Sequence, residues 1–226
     1  MPDTENDGYT HPRLERSALL VIDMQNDFVL DGAPASVGGS MQIVPNIFRL
    51  LSRYRSAGLP IIHVVRLYLA NGSNADLCRR RRIEEGWAVV VPGSSGSEIV
   101  GDLKPDASMR LDAELLLEGG FQRIAEKEHV MYKPRWGAFY GTDLDGFLKQ
   151  LSVNTLVFCG CNYPNCPRSG IYQASERDYR AVIASDALSR LTKKDEDELK
   201  GIGVKVTTTA GLEKKLDTFA ERLGRS

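Results

Sequence analysis

Eleven residues, F-C-G-C-N-Y-P-N-C-P-R at positions 158–168, hold three of the four cysteines in the chain. A thiol serves as a nucleophile, a metal ligand or an inert core group, and its flanks decide among these roles. Cys159 ends the apolar run 154–159 and is expected in the core. Cys161 is expected to be structural as well. The pattern C-x-C-x4-C supplies too few ligands, at the wrong spacing, for a zinc site, so no metal is expected. Cys166 differs because Asn165, Pro167 and Arg168 surround it with polar and turn-forming residues. It stands where a strand gives way to a helix. Backbone N–H groups converge at such a terminus, and its positive end favours a thiolate. Cys166 is therefore the candidate nucleophile, weighed against the burial common to free cysteine.

Two other apolar runs end in an ionisable residue. Ser17-Ala-Leu-Leu-Val-Ile ends in Asp23, and His129-Val-Met-Tyr ends in Lys133. Near-continuous apolar runs are typical of parallel strands covered on both faces, and ligands bind beyond the carboxyl ends of such strands. Asp23 reads equally as a cap or turn residue, and Lys133 as a surface charge. Brought to one sheet edge with Cys166, they form a chemically coherent set. A lysine lowers a thiol pKa, a carboxylate carries the thiol proton to a leaving nitrogen, and turn amides hold an oxyanion.

The elements that must position these groups alternate along the chain. A helix is expected over 41–57, with Gly58 as its stop. Leu59–Leu67 is a strand in which His63 reads as a satisfied core histidine. Arg66 and Tyr68 lie near its exit and, with Arg135, Trp136 and Phe139, are the expected substrate-binding residues. Residues 70–128 are the least regular; Arg79–Arg82 reads first as a solvated helical face, with an inter-subunit or acidic-substrate role as the alternative. A short helix is expected within 107–124. Thr142 caps a helix running to Leu151. Then come strand 154–159, helix 167–179, strand 181–185, strand 204–206 and helix 209–223. This alternation predicts a parallel sheet with helices on both faces.

Residues 1–16 read as a flexible arm and 17–226 as a single domain. With 29 Lys plus Arg against 30 Asp plus Glu, bulk charge gives no reason for nucleic-acid or membrane-surface binding. No apolar run approaches the ~20 residues of a membrane span. The polar N-terminus lacks a signal-peptide core, and the few cysteines suit a reducing compartment, so a cytoplasmic location is expected.

Four blocks now carry a resemblance: L-L-V-I-D-M-Q-N-D-F (19–28), Y-K-P-R-W-G-A-F-Y-G-T-D-L (132–144), G-C-N-Y-P-N-C (160–166) and I-A-S-D-A (183–187). In order and spacing the chain resembles the isochorismatase-like cysteine hydrolase family. The resemblance implies a three-layer α/β/α sandwich around a six-stranded parallel sheet. It implies a catalytic triad of Asp23, Lys133 and Cys166, and a cis Cys161–Asn162 bond. The backbone N–H groups of Asn162 and Cys166 would then form the oxyanion hole. The activity it implies is C–N cleavage of a small amide, ureide or lactam through a thioester. A homo-oligomer, dimer or tetramer, is also expected.

This chain departs from the family pattern in places. The D-x-H metal motif of family nicotinamidases is replaced by V-V-R-L-Y-L-A-N-G, so metal-independent action without a cofactor is expected. Isochorismatases proper lack the cysteine, which disfavours vinyl-ether cleavage. Pro167 and Arg168 replace the residues often found after the nucleophile. Segment 106–123 is longer than usual and reads as a lid or assembly element. The alternatives are a non-catalytic oligomeric member of the fold and a vinyl-ether hydrolase.

Overall fold

The computed structural model describes residues 8–223. Its strands are β1 (Ser17–Ile22), β2 (Ile61–Val65), β3 (Phe121–Ala125), β4 (Glu128–Tyr132), β5 (Thr155–Gly160), β6 (Arg180–Leu188) and β7 (Lys205–Thr207). Its helices are α1 (Asn26–Val29), α2 (Ser40–Ser56), α3 (Leu77–Glu84), α4 (Ala113–Leu117), α5 (Leu144–Gln150), α6 (Cys166–Ser175), α7 (Lys193–Gly201) and α8 (Thr209–Leu223). The strands form one sheet in the order β3-β4-β2-β1-β5-β6-β7. Every neighbouring pair is parallel except β3–β4.

Alternation along β1 explains why both faces are covered. Leu19 and Val21 join one core with α2 residues Ile47, Leu50 and Leu51 and α8 residues Leu212 and Leu216. Ala18, Leu20 and Ile22 join the other, with Leu144 and Leu148 of α5, Ile171 and Ala174 of α6, and Leu199 of α7. Both faces of a central strand are thus apolar, which is why its sequence shows no polar alternation.

The sheet has seven strands rather than the expected six, and the extra one is antiparallel. It comes from the 106–123 segment, read from sequence as a lid or assembly element. Asp112 accepts a hydrogen bond from the Leu115 N–H at the start of the short α4, and Phe121–Ala125 then turns back on β4. An edge strand is half solvated, so Gln122 and Arg123 dilute its apolar signal. The expected arm, residues 1–16, lies outside the described residues up to position 7. Its end is packed: the Arg13 N–H donates to Thr155 Oγ1 at 3.0 Å and Leu14 is buried. Helix α5 starts one residue later than expected, after Asp143 rather than Thr142. No helix among the described residues is long and apolar enough to cross a membrane.

The order of connections makes β1 the turning point. From β1 the chain proceeds to β2 and β4 on one side, and later to β5, β6 and β7 on the other. A crevice opens at the carboxyl ends where such a reversal occurs. Asp23 follows β1, Arg66 follows β2, Lys133 follows β4 and the cysteine loop follows β5, so all four reach that crevice.

A second buried charge cluster holds β2, β4 and α2 together. Glu128 accepts two hydrogen bonds from Arg55, at 2.8 and 2.7 Å, and its Oε1 lies 2.7 Å from His63 Nε2. His63 is thus the core histidine that the sequence suggested. Burial acts to raise the Glu128 carboxyl, but the hydrogen bonds from Arg55 and His63 outweigh it and hold it down at about 2, against an ordinary 4.5. A lowered carboxylate adds stability in full above its unfolded value and loses it as pH falls toward the folded one. Glu128→Gln is expected to destabilise the protein by roughly 3–5 kcal/mol at neutral pH, since Arg55 and His63 lose a buried partner. Urea unfolding at pH 7 and pH 3 should show the gap to wild type narrowing in acid. An equal gap at both values would assign the cluster a packing role only.

Candidate active site

Three side chains meet at the carboxyl edge of the sheet, and each is there for a local reason. The Asp23 N–H donates to Val64 O at 2.9 Å and the Lys133 N–H to Val65 O at 3.0 Å, so the ends of β1 and β4 are both fixed against β2. Adjacent strands lie about 4.8 Å apart, so Lys133 must reach roughly 10 Å across β2 to meet Asp23. A lysine stem is long enough to cover most of that span. Its Nζ donates to Asp23 Oδ2 at 2.9 Å, and to Arg135 O at 3.4 Å. Lys133 is 0% and Asp23 3% exposed. The backbone at Asp23 has φ +53°, a left-handed conformation in which aspartate is among the better-tolerated residues.

The cysteine loop is set by one glycine. Gly160 has φ +117°, and a Cβ there would lie 2.1 Å from Ile22 O. Only glycine lets β5 pass this close to β1 as it enters the loop. The Cys161 N–H then donates to Ile22 O at 2.9 Å, and Cys161 Sγ donates to Asp23 O at 3.2 Å. The Cys161–Asn162 peptide bond is cis. Cys166 opens α6 with Pro167 directly behind it, where a missing N–H costs nothing. Cys159 is fully buried. All four cysteines are unpaired.

Helix placement and a nearby lysine suggested a resting thiolate; the geometry gives the opposite. Cys166 is 5% exposed. Burial pushes its thiol up to about 11, the Asp23 charge pushes the same way, and the pull of Lys133 and Arg66 does not offset them. The resting thiol therefore holds its proton at neutral pH. Asp23 Oδ2 is occupied by Lys133, whereas Asp23 Oδ1 has no hydrogen-bond partner among the described residues.

Of the five residues expected to bind substrate, four surround this group. Arg66 is 1% exposed and donates to Asp76 Oδ2 at 2.6 Å. Tyr68 donates its hydroxyl proton to the same oxygen at 2.9 Å. The Trp136 ring lies 5.6 Å from the Arg66 guanidinium. Arg135 donates to Asn74 O at 3.1 Å, tying the segment after β4 to the loop before α3. Phe139 is not among them. Its ring packs 5.8 Å from Tyr179, beyond the far end of α6 from Cys166. The turn at Gly137, which meets Gln173, directs Phe139 into the core.

Sequence reasoning missed Gln25 and Asp76, and gave Arg79 a substrate role only as the alternative to a solvated face. Gln25 accepts from the Arg66 N–H at 2.7 Å and donates to Arg66 O at 2.8 Å, which fixes the end of β2. Arg79 donates to the Tyr68 hydroxyl at 2.6 Å and lies 4.8 Å from the Trp136 ring. It is one of four consecutive arginines that read as a solvated face. Arg79 and Arg80 are instead half-buried, Arg80 donating to Gly72 O and Ser73 O, while Arg81, paired with Glu85, and Arg82, over Trp87, are exposed. The missed signal was Tyr68, eleven residues before Arg79, as a hydroxyl that needs a partner. Among the described residues, no cluster of three or more His, Cys, Asp and Glu is placed to hold a metal ion.

Comparison with known proteins gives a consistent set of relatives. A family model described as Isochorismatase domain matches residues 17–112 and 118–210. A protein of Arabidopsis thaliana named a probable inactive nicotinamidase is 34% identical over 202 residues, covering 87% of this chain and 94% of that protein. The ureidoacrylate amidohydrolase RutB of Variovorax paradoxus is 30% identical over 188 residues, covering 77% and 69% respectively. The crystal structure of an isochorismatase family protein from Desulfovibrio vulgaris matches with TM-score 0.76 at 36% identity, over 89% of this chain and 98% of that one.

The charges around Cys166 make a signed expectation for its reactivity. Alkylation by iodoacetamide follows the thiolate fraction, so the wild-type rate should climb with pH toward about 11. Asp23→Asn removes an upward push and should move the profile to lower pH, by a unit or so on the scale of one neighbouring charge. Lys133→Met should move it upward. Peptide mapping separates Cys166 from the exposed Cys78. Profiles that coincide in all three proteins would mean that the pair does not act on this thiol.

Proposed function

The chain belongs to the isochorismatase family of hydrolases, and from that premise we propose that it is a metal-independent cysteine hydrolase cleaving a C–N bond of a small amide, ureide or lactam. The observation that carries the reading is the buried Lys133–Asp23 pair, whose charges act on the Cys166 thiol. A buried pair of this kind costs several kcal/mol per ion in desolvation, and packed apolar side chains would serve stability as well. Its retention supports a chemical role.

In this reading Asp23 accepts the Cys166 proton as sulfur attacks the substrate carbonyl carbon. The backbone N–H groups of Asn162 and Cys166 receive the developing oxyanion. Asp23 returns the proton to the departing nitrogen as the C–N bond breaks, leaving a thioester. A water then gives its proton to Asp23 and attacks the thioester, and the thiol recovers its proton from Asp23. Lys133 holds the Asp23 carboxyl in place through its ion pair, and Arg66, Tyr68, Arg135 and Trp136 line the substrate side.

The ureidoacrylate amidohydrolase supports cleavage of an amide or ureide. A dimer or tetramer in the cytoplasm rests on the family resemblance and on four unpaired cysteines. The naming of the Arabidopsis relative makes a non-catalytic member the competing reading.

Ammonia or amine release over a panel of primary amides, ureides and lactams decides between them. Wild type should turn over at least one panel member, Cys166→Ala should fall to background while remaining folded, and chelation by EDTA should leave the rate unchanged. Silence across the panel together with an unreactive Cys166 would favour the non-catalytic reading. Loss in EDTA restored by zinc would overturn the metal-independent mechanism.

A further inference from the structure

The charges gathered around Cys166 do not balance. Lys133 is matched by Asp23, and Arg66 by Asp76. Arg79 is left over. Its hydrogen bond within the site is to the neutral Tyr68 hydroxyl, which already donates its proton to Asp76. Asp76 is a single carboxylate; Arg66 and Tyr68 use the same oxygen of it, and its buried Oδ1 has no hydrogen-bond partner among the described residues. The two guanidinium groups share the same aromatic faces: Arg66 lies 5.4 Å from the Tyr68 ring and 5.6 Å from Trp136, and Arg79 lies 5.8 and 4.8 Å from them. Arg66 is 1% exposed, yet its Nε has no hydrogen-bond partner among the described residues. The charges of both arginines are felt at Cys166 and at each other.

Two cations on one indole share the single carboxylate of Asp76, and a second anion beside Arg79 would relieve their repulsion. A guanidinium matches a carboxylate by paired N–H donors, which a lysine does not. We propose that Arg79 and Arg66 form an anion subsite, so that the molecule cleaved at Cys166 is a small amide or ureide that also carries a carboxylate. The carboxylate lies against Arg79 and Arg66 over Trp136, and its binding sets the carbonyl carbon at the thiol. This rests on the hydrolase reading for the reaction, while the charge preference stands on the arginines alone.

Iodoacetate and iodoacetamide differ in one carboxylate and are otherwise close in size. The rate ratio of the two at Cys166, divided by the same ratio for free glutathione, reports the field of the subsite. We expect a normalised preference for iodoacetate of about tenfold or more in wild type, near unity in Arg79→Gln, and largely kept in Arg79→Lys. A wild-type ratio near that of glutathione overturns the subsite, as does a preference unchanged in a folded Arg79→Gln. If Cys166 resists both reagents, the nucleophile reading fails, and a second measurement decides the subsite without it. In Cys166→Ala, malonamate should raise the melting temperature where the neutral malonamide does not. Equal shifts, or none with either, would overturn the subsite, and this comparison needs no change at Arg79.

Discussion

A lysine and an aspartate paired out of water are the constraint around which the rest of this structure is arranged. Lys133 and Asp23 follow strands that are not neighbours, and they meet because the lysine stem crosses the end of β2 between them. Breaking such a pair by removing one partner costs about 3–5 kcal/mol. The surrounding strand ends must therefore be held in register. Gln25 clamps the backbone of Arg66 on both sides, and the N–H groups of Asp23 and Lys133 are anchored on β2. Gly160 lets the next strand pass close enough to deliver the cysteine loop.

The pair also sets the state of the thiol. Helix N-termini and cations lower cysteine pKa values, but these effects compete with desolvation. Here burial is nearly complete and the nearest carboxylate is negative, so burial and Asp23 prevail. A buried thiol that stays neutral needs a base at the moment of attack. Asp23 keeps one oxygen on Lys133 and one without a geometric hydrogen-bond partner among the described residues, and its carboxylate also acts on the Cys166 thiol, which is the arrangement that role requires. The positive charge that no carboxylate pairs with is that of Arg79, whose hydrogen bond in the site goes to the Tyr68 hydroxyl.

Strand exits made Asp23, Lys133 and Cys166 legible in the sequence, because an apolar run ending in an ionisable group is a local pattern with a structural meaning. The parallel sheet and the helices on both its faces followed from the same runs, but the order of its strands did not. Less was legible where tertiary contacts overrode local composition. Arg79 sat in a run of four arginines whose default is water, and only the fold shows that Tyr68 and Trp136 draw one of them inward. Phe139 followed Trp136 by three residues, yet the backbone between them turns it into the core. Strand β3 was too short and polar to stand out. The thiol pKa depended on depth of burial, which no local spacing encodes.

The most direct test of Asp23 as the proton carrier uses p-nitrophenyl acetate, whose leaving group departs without a proton. Intact-mass spectrometry follows the acetyl group on Cys166. In wild type the acyl-enzyme should form and clear as nitrophenolate is released continuously. In Asp23→Asn acylation by the ester should slow, because the base at the moment of attack is lost, and the acetyl group that does form should accumulate on Cys166 and persist, because nothing activates the water that removes it. Turnover of the ester by Asp23→Asn at the wild-type rate would contradict the account.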